Sequence, residues 1–178
     1  MQNLFHIDKG GNFPQTVRAI IEVPAGSRTK YEYNIHQGIF RLDRILKTSA
    51  RYPRNYGFVP QTLGNTVNPV DVFILLHDPL FPGCVVEVRP IGLLEMADEL
   101  GVDSKLLAVP IKDPRMEDIT SLAQVKKAIL DEIQHFFETY KRITNVKGWL
   151  DKEEAYRFLE EAHVEYLRRF KKTQKHGN

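Results

Sequence analysis

The feature that most constrains this chain is how its first two-thirds is cut into short apolar runs by proline and glycine, with helical periodicity only after residue 120. Val17–Val23 reads as a strand that stops at the turn signal Pro24-Ala25-Gly26-Ser27. Lys30-Tyr31-Glu32-Tyr33-Asn34-Ile35 alternates, which places Lys30, Glu32 and Asn34 on one face. His36-Gln37-Gly38 turns the chain into Ile39-Phe40-Arg41-Leu42, and Pro53, Gly57 and Pro60 break up residues 52–61. Residues 70–76 and 84–94 read as strands joined by Asp78-Pro79 and Phe81-Pro82-Gly83, and residues 105–109 close the β-rich part. Thr120 or Ser121 can cap a helix with apolar positions at Leu122, Val125, Ile129, Ile133, Phe136 and Tyr140, and Lys141 at its end. Asp151-Lys152-Glu153-Glu154 resembles a capping box for a second helix with a stripe of Ala155, Phe158, Leu159, Ala162, Tyr166 and Phe170. Short strands followed by helices argue for an α+β domain with a β-barrel core.

A length of 178 residues suits one domain over 1–178, and 42% hydrophobic with 27% charged residues is enough to bury a core. The net charge of +2 gives no global argument for nucleic acid. The basic end, Arg168, Arg169, Lys171, Lys172 and Lys175, reads as a solvated helix end. The single cysteine, Cys84, reads as a buried strand residue and cannot form an internal disulfide, so a cytoplasmic location is expected. The first residues carry neither the basic nor the apolar region of a signal peptide, and the longest compact apolar run, residues 72–76, is too short for a bilayer.

Chemistry-bearing residues gather where runs meet turns. Met96-Ala97-Asp98-Glu99-Leu100-Gly101-Val102-Asp103-Ser104-Lys105 places acids and a lysine around a glycine between two apolar runs. Hard cations such as Mg²⁺ take carboxylate oxygens and share them with phosphate, and an ammonium beside them suits an anionic substrate. Glu22 lies among β-branched residues and needs a partner, a metal or water. Asp43-Arg44, Tyr52 and Tyr56, and Asp71 complete the set. Taken singly, Glu22, Lys30 and Arg44 read more readily as structural ion-pair members than as catalysts, Tyr52 and Tyr56 as core aromatics, and His135 with Phe136-Phe137 as helix packing rather than a metal site.

In their order these segments resemble the bacterial-type family I soluble inorganic pyrophosphatases. The resemblance runs from Val17 to the last helix through Ile21-Glu22-Val23-Pro24, Lys30-Tyr31-Glu32, Asp43-Arg44, Tyr52-Pro53-Arg54-Asn55-Tyr56-Gly57-Phe58, Asn68-Pro69-Val70-Asp71-Val72, Arg89-Pro90-Ile91-Gly92, the segment 96–105, His135-Phe136-Phe137-Glu138-Thr139-Tyr140-Lys141 and Gly148-Trp149. It implies a small closed, OB-like barrel with a five-stranded core and two C-terminal helices packed against it. It also implies Mg²⁺-dependent hydrolysis of pyrophosphate to two phosphates, and a homo-oligomer, commonly a hexamer. Carried over by motif, Asp71 and Asp103 would ligate the metals that activate water. Asp98 and Asp103 would hold a metal brought with substrate, Glu22 a further one, and Glu32 would support that shell. Lys30, Arg44, Tyr140 and Lys141 would bind phosphate oxygens, while Lys105, Tyr52 and Tyr56 would position acids and substrate.

The family's signature loop, Asp-Gly-Asp-Pro-x-Asp, reads here Thr66-Val67-Asn68-Pro69-Val70-Asp71. Spacing is kept and two of three carboxylates are lost. Asn68 stands where the resemblance expects the proton acceptor for the attacking water, and an amide cannot take a proton at neutral pH. General-base catalysis is typically worth about 10²–10⁴-fold, or about 3–5 kcal/mol. Val67 resists the positive φ that a glycine allows. Five site acids (Glu22, Glu32, Asp71, Asp98, Asp103) against four bases (Lys30, Arg44, Lys105, Lys141) leave −1 where the intact loop would give −3, so the site should draw Mg²⁺ less strongly. Metal-bound water can still ionise. Two readings follow: a pyrophosphatase of reduced activity, or an impaired paralogue that binds pyrophosphate or phosphate. A barrel for single-stranded nucleic acid is opposed by Glu22, Asp98 and Asp103, which a phosphodiester backbone does not need.

Overall fold

A computed structural model describes residues 3–64, 68–98, 101–140 and 145–170. The apolar runs become β1 (Val17–Val23), β2 (Thr29–Asn34), β3 (Ile39–Ile45), β4 (Asn55–Val59), β5 (Val70–Ile74), β6 (Val85–Asp98), β7 (Gly101–Val102), β8 (Lys105–Pro110) and β9 (Asn145–Leu150). Two helices, α1 (Lys127–Tyr140) and α2 (Lys152–Phe170), follow most of them. Five strands close a ring in the order β1-β4-β5-β8-β6 and back to β1. Only the β5–β8 pair within it is parallel. This is the expected five-stranded barrel. The hairpin β2–β3 forms a separate sheet, and β7 and β9 both pair with β6.

The helices cover the ring. Ile133, Phe136 and Phe137 of α1 pack with Phe73, Leu94 and Leu107 from the barrel. Ala155, Leu159 and Ala162 of α2 pack with Val17, Ile21, Val72 and Leu106. Asp151 accepts a hydrogen bond from the Glu154 amide at 3.2 Å, as its place before α2 predicts. None of the helices among the described residues is long and apolar enough to cross a membrane.

The structure corrects several readings. Residues 52–61 are not broken up by Gly57, because β4 runs through it as a buried central strand. A Cβ on Gly57 would lie 1.8 Å from the Ile20 carbonyl oxygen, so glycine is what lets β4 approach β1. α1 begins at Lys127 rather than after Ser121. Residues 122–124 form a 3₁₀ turn, with Gln124 Oε1 accepting from the Thr120 and Ser121 amides at 2.8 and 3.0 Å. Leu122 is used instead as a wedge over Gly92, where a Cβ would sit 2.5 Å from Leu122 Cγ. Cys84 is half-buried and precedes β6, in the turn that Gly83 (φ 94°) makes possible. His135 is exposed, unlike its buried neighbours Phe136 and Phe137.

Two strands had no signal of their own. β9 is interrupted by Gly148, and β7 is two residues long. Their pairing along residues 93–98 carries β6 four residues past Leu94, into the segment expected to be loop.

Gly57→Ala should lower unfolding stability by about 3 kcal/mol, since overpacking against backbone has no flexible side chain to yield. Gly11→Ala, where nothing lies within 4 Å of the added carbon, should be near neutral. Urea denaturation of the two variants checks this, and equal midpoints would contradict the β1–β4 contact.

Candidate active site

Because β5 and β8 run parallel with Val72 opposite Leu106, Asp71 and Lys105 are neighbours near the starts of adjacent strands. The Lys105 ammonium is buried, donates to the Asp71 carboxylate, and lies 2.5 Å from Asp103 Oδ1. Burial alone would push its proton off, but the Asp71 and Asp103 charges and their hydrogen bonds outweigh it and raise its pKa. Both carboxylates remain partly open to solvent, with 25% and 21% of their side-chain surface exposed, so ligands can reach them.

Glu22 sits where the β1–β4 register slips between Ile21 and Val23, a bulge that re-aims its side chain. It is buried, and its Oε1 accepts from the Tyr33 amide at 2.7 Å. Burial first, then the Asp71 charge, push its pKa up to about 8, against the pull of that amide and of Lys30. Glu32 adds a smaller repulsion.

A second bulge shapes the cationic side. Lys30 of β2 pairs with Arg44 of β3, while Tyr31 pairs with Leu42, so Asp43 is the extra residue. Its Oδ2 lies 3.0 Å from Lys30 Nζ and 2.9 Å from Arg44 Nε. Burial would raise the Asp43 pKa, but the hydrogen bonds and charges of Lys30 and Arg44 prevail and lower it. Glu32 faces Arg41 at 3.3 Å on the exposed side of this hairpin.

Tyr52 and Tyr56 are core aromatics that border the acid cluster. Their rings lie 5.3 Å apart, with Tyr52 4.8 Å from Phe136 and Tyr56 4.9 Å from Phe73. The Tyr56 phenol bonds the Asp71 carboxylate, and its pKa is driven well up by burial, then by Asp71, Tyr52 and Asp103.

The structure thus links Glu22, Lys30, Tyr52, Tyr56, Asp71, Asp103 and Lys105 by contact or charge, with Arg44 joined through Asp43. Asn68 is exposed three residues before Asp71, and its carbonyl accepts from the Gly64 amide at 2.7 Å. Asp98 ends β6, opposite Gly101, and Tyr140 ends α1. Lys141, Thr66 and Val67 lie outside the described residues.

No group of three His, Cys, Asp or Glu side chains converges on a cation position among the described residues. Asp71 and Asp103 converge on Lys105 instead. The donor chemistry nevertheless fits a hard divalent ion. All donors are carboxylate oxygens, and burial, with the Asp71 charge behind it, favours a proton on Glu22 that a cation would displace.

The sequence model of the inorganic pyrophosphatase family matches residues 19–167. The chain belongs to the inorganic pyrophosphatase family. It is 42% identical to an inorganic pyrophosphatase of Halalkalibacterium halodurans over 157 residues, covering 86% of this chain and 96% of the relative. The crystal structure of inorganic pyrophosphatase from Thermus thermophilus superimposes with a TM-score of 0.90 at 41% identity, covering 93% of this chain and 99% of the other. An inorganic pyrophosphatase structure from Coxiella burnetii gives 0.85 at 43% identity, covering 90% and 99%. The match is to the bacterial-type family I expected from the ordered segments, and the enzyme class is a diphosphatase hydrolase.

Sequence reasoning within this family frame missed Asp43 as the link between Lys30 and Arg44. The signal was present: an Asp-Arg pair one turn of chain away from an alternating Lys-x-Glu strand. It also missed the Tyr33 amide on Glu22, which no side-chain pattern announces.

The raised Glu22 pKa sets a pH dependence in metal-free protein. Below the ordinary value of 4.5 both folded and unfolded chains hold the proton. Between there and about 8 only the folded chain keeps it, so this group's contribution to stability falls as pH rises and levels off above 8. Urea midpoints measured with a chelator from pH 5 to 8.5 should decline more steeply in the native chain than in Glu22→Gln. Parallel slopes would contradict the assignment.

Proposed function

We propose that this chain, acting as one domain, hydrolyses inorganic pyrophosphate to two phosphates with Mg²⁺, at a rate reduced by Thr66 and Asn68. The observation that carries this reading is the buried Lys105 held between Asp71 and Asp103, with Glu22 and Lys30 in electrostatic reach of the same cluster. Glu22, Glu32, Asp71, Asp98 and Asp103 would hold Mg²⁺. When bound, that ion would neutralise phosphate charge and acidify a coordinated water.

The chain's own residues do the rest. Lys30 and Arg44, fixed by Asp43, present cations to phosphate oxygens, joined by Tyr140 and Lys141. Asp43 sets the positions of Lys30 and Arg44 before substrate arrives, so these two stabilise charge without reorganising. Lys105 orients Asp71 and Asp103 by bonding both, and the Tyr56 phenol donates to Asp71. Asn68 can orient water through its amide but cannot accept its proton.

A cytoplasmic homo-oligomer, a hexamer by family resemblance, completes the proposal. Asn68 favours one alternative, a paralogue that binds pyrophosphate or phosphate without useful turnover.

Phosphate release from pyrophosphate in millimolar Mg²⁺ separates them. Slow release by the native chain is expected. Thr66→Asp with Asn68→Asp should raise kcat by about 10²-fold or more. Release only after restoration would favour the binding paralogue, and no release from either protein would sink both the reaction and the loop assignment.

A further inference from the structure

The connection from β4 to β5, which carries Asn68 and leads into Asp71 of β5, is anchored from outside the barrel. Its first hinge, Gln61, has φ 55°, the one positive φ on a non-glycine among the described residues. Such a conformation persists only where its surroundings hold it. Four hydrogen bonds do so. The Gln61 amide donates to the Phe5 carbonyl at 3.0 Å, and its side-chain Nε2 to the His6 carbonyl at 3.2 Å. His163 Nδ1 lies 2.7 Å from the Gln61 carbonyl oxygen. Two residues on, the Leu63 amide donates to the Ala162 carbonyl of α2 at 2.8 Å.

From there the frame runs inward. Thr62 Oγ1 donates to the Val59 carbonyl at 2.6 Å and accepts from the Val70 amide at 3.0 Å, which ties the two stems of the loop. The Gly64 amide reaches the Asn68 carbonyl at 2.7 Å and closes the loop itself. Val70 is followed by Asp71, which bonds Lys105.

We infer that His163 is a positioning residue: from the middle of α2 it clamps the Gln61 carbonyl and so sets where Asn68 and Asp71 stand. A carbonyl oxygen only accepts, so Nδ1 carries the proton in this contact. The imidazole is oriented for it by neighbours on both sides, with Phe13 5.3 Å and Tyr166 6.2 Å away between ring centroids, the latter stacked at 14°. The inference rests on the reading of Asn68 and Asp71 as part of the hydrolytic site. It adds a role for the C-terminal helix beyond covering the barrel.

Two variants separate the donor from the ring. His163→Phe keeps an aromatic between Phe13 and Tyr166 and removes the N–H. His163→Asn loses the ring and keeps an amide donor near the Nδ1 position. Amide hydrogen exchange at Leu63, Gly64 and Val70 should speed up about fivefold in His163→Phe, the worth of one ordinary hydrogen bond, and return toward native rates in His163→Asn. kcat for pyrophosphate should follow the same order, with KM unchanged and thermal midpoints not following it. The inference is overturned by native exchange rates in His163→Phe, by equal effects in both variants, or by faster exchange with unaltered kcat. Should the native chain release no phosphate, the hydrolytic reading fails by that assay, while exchange in the two variants still decides the clamp.

Discussion

A buried ammonium between two carboxylates organises this molecule. Removing a lysine from water is costly, and a single surface partner would not offset it. Here Asp71 and Asp103 both bond Lys105, and the parallel pairing of β5 with β8 is what brings Asp71 beside it. Asp103 comes from the turn after β7, so the tight return of β6 into β7 and β8 is part of the same construction. The cluster ties function to fold: removing one acid would leave a buried charge short of a partner, which costs stability as well as chemistry.

Around that cluster, irregularities in the strands do the aiming. A regular β1 would send Glu22 along the ordinary alternation, but the bulge beside it turns the carboxylate toward the Tyr33 amide and into the field of Asp71. A regular β3 would place Asp43 opposite one residue of β2, but the bulge lets it hold both Lys30 and Arg44. The backbone therefore sets the mix of charge, with acids gathered around Lys105 and a basic pair already spaced by Asp43.

The barrel was legible because its strands carry local signals: β-branched runs, alternation, and turns at Pro24 to Ser27 and Phe81 to Gly83. What stayed hidden depends on partners far along the chain. Gly57 looks like a breaker until Ile20 is seen against it, and β9 becomes a strand only because β6 offers an edge. The acids and bases expected of a site could be set out in order through resemblance; the Asp43 link had a signal in the Asp-Arg pair beside an alternating strand, whereas the His163 contact with Gln61 is one that spacing does not encode. Lys141, Thr66 and Val67 fall outside the described residues, so the expectations placed on them rest on sequence.

The most direct test is a crystal structure of the chain grown with Mg²⁺ and phosphate. The account predicts phosphate on Lys30 and Arg44, with Mg²⁺ on the carboxylate oxygens of Asp71 and Asp103 and Lys105 still bonded to at least one of them. Phosphate and Mg²⁺ lodged away from these residues, at concentrations that fill the crystal elsewhere, would contradict it.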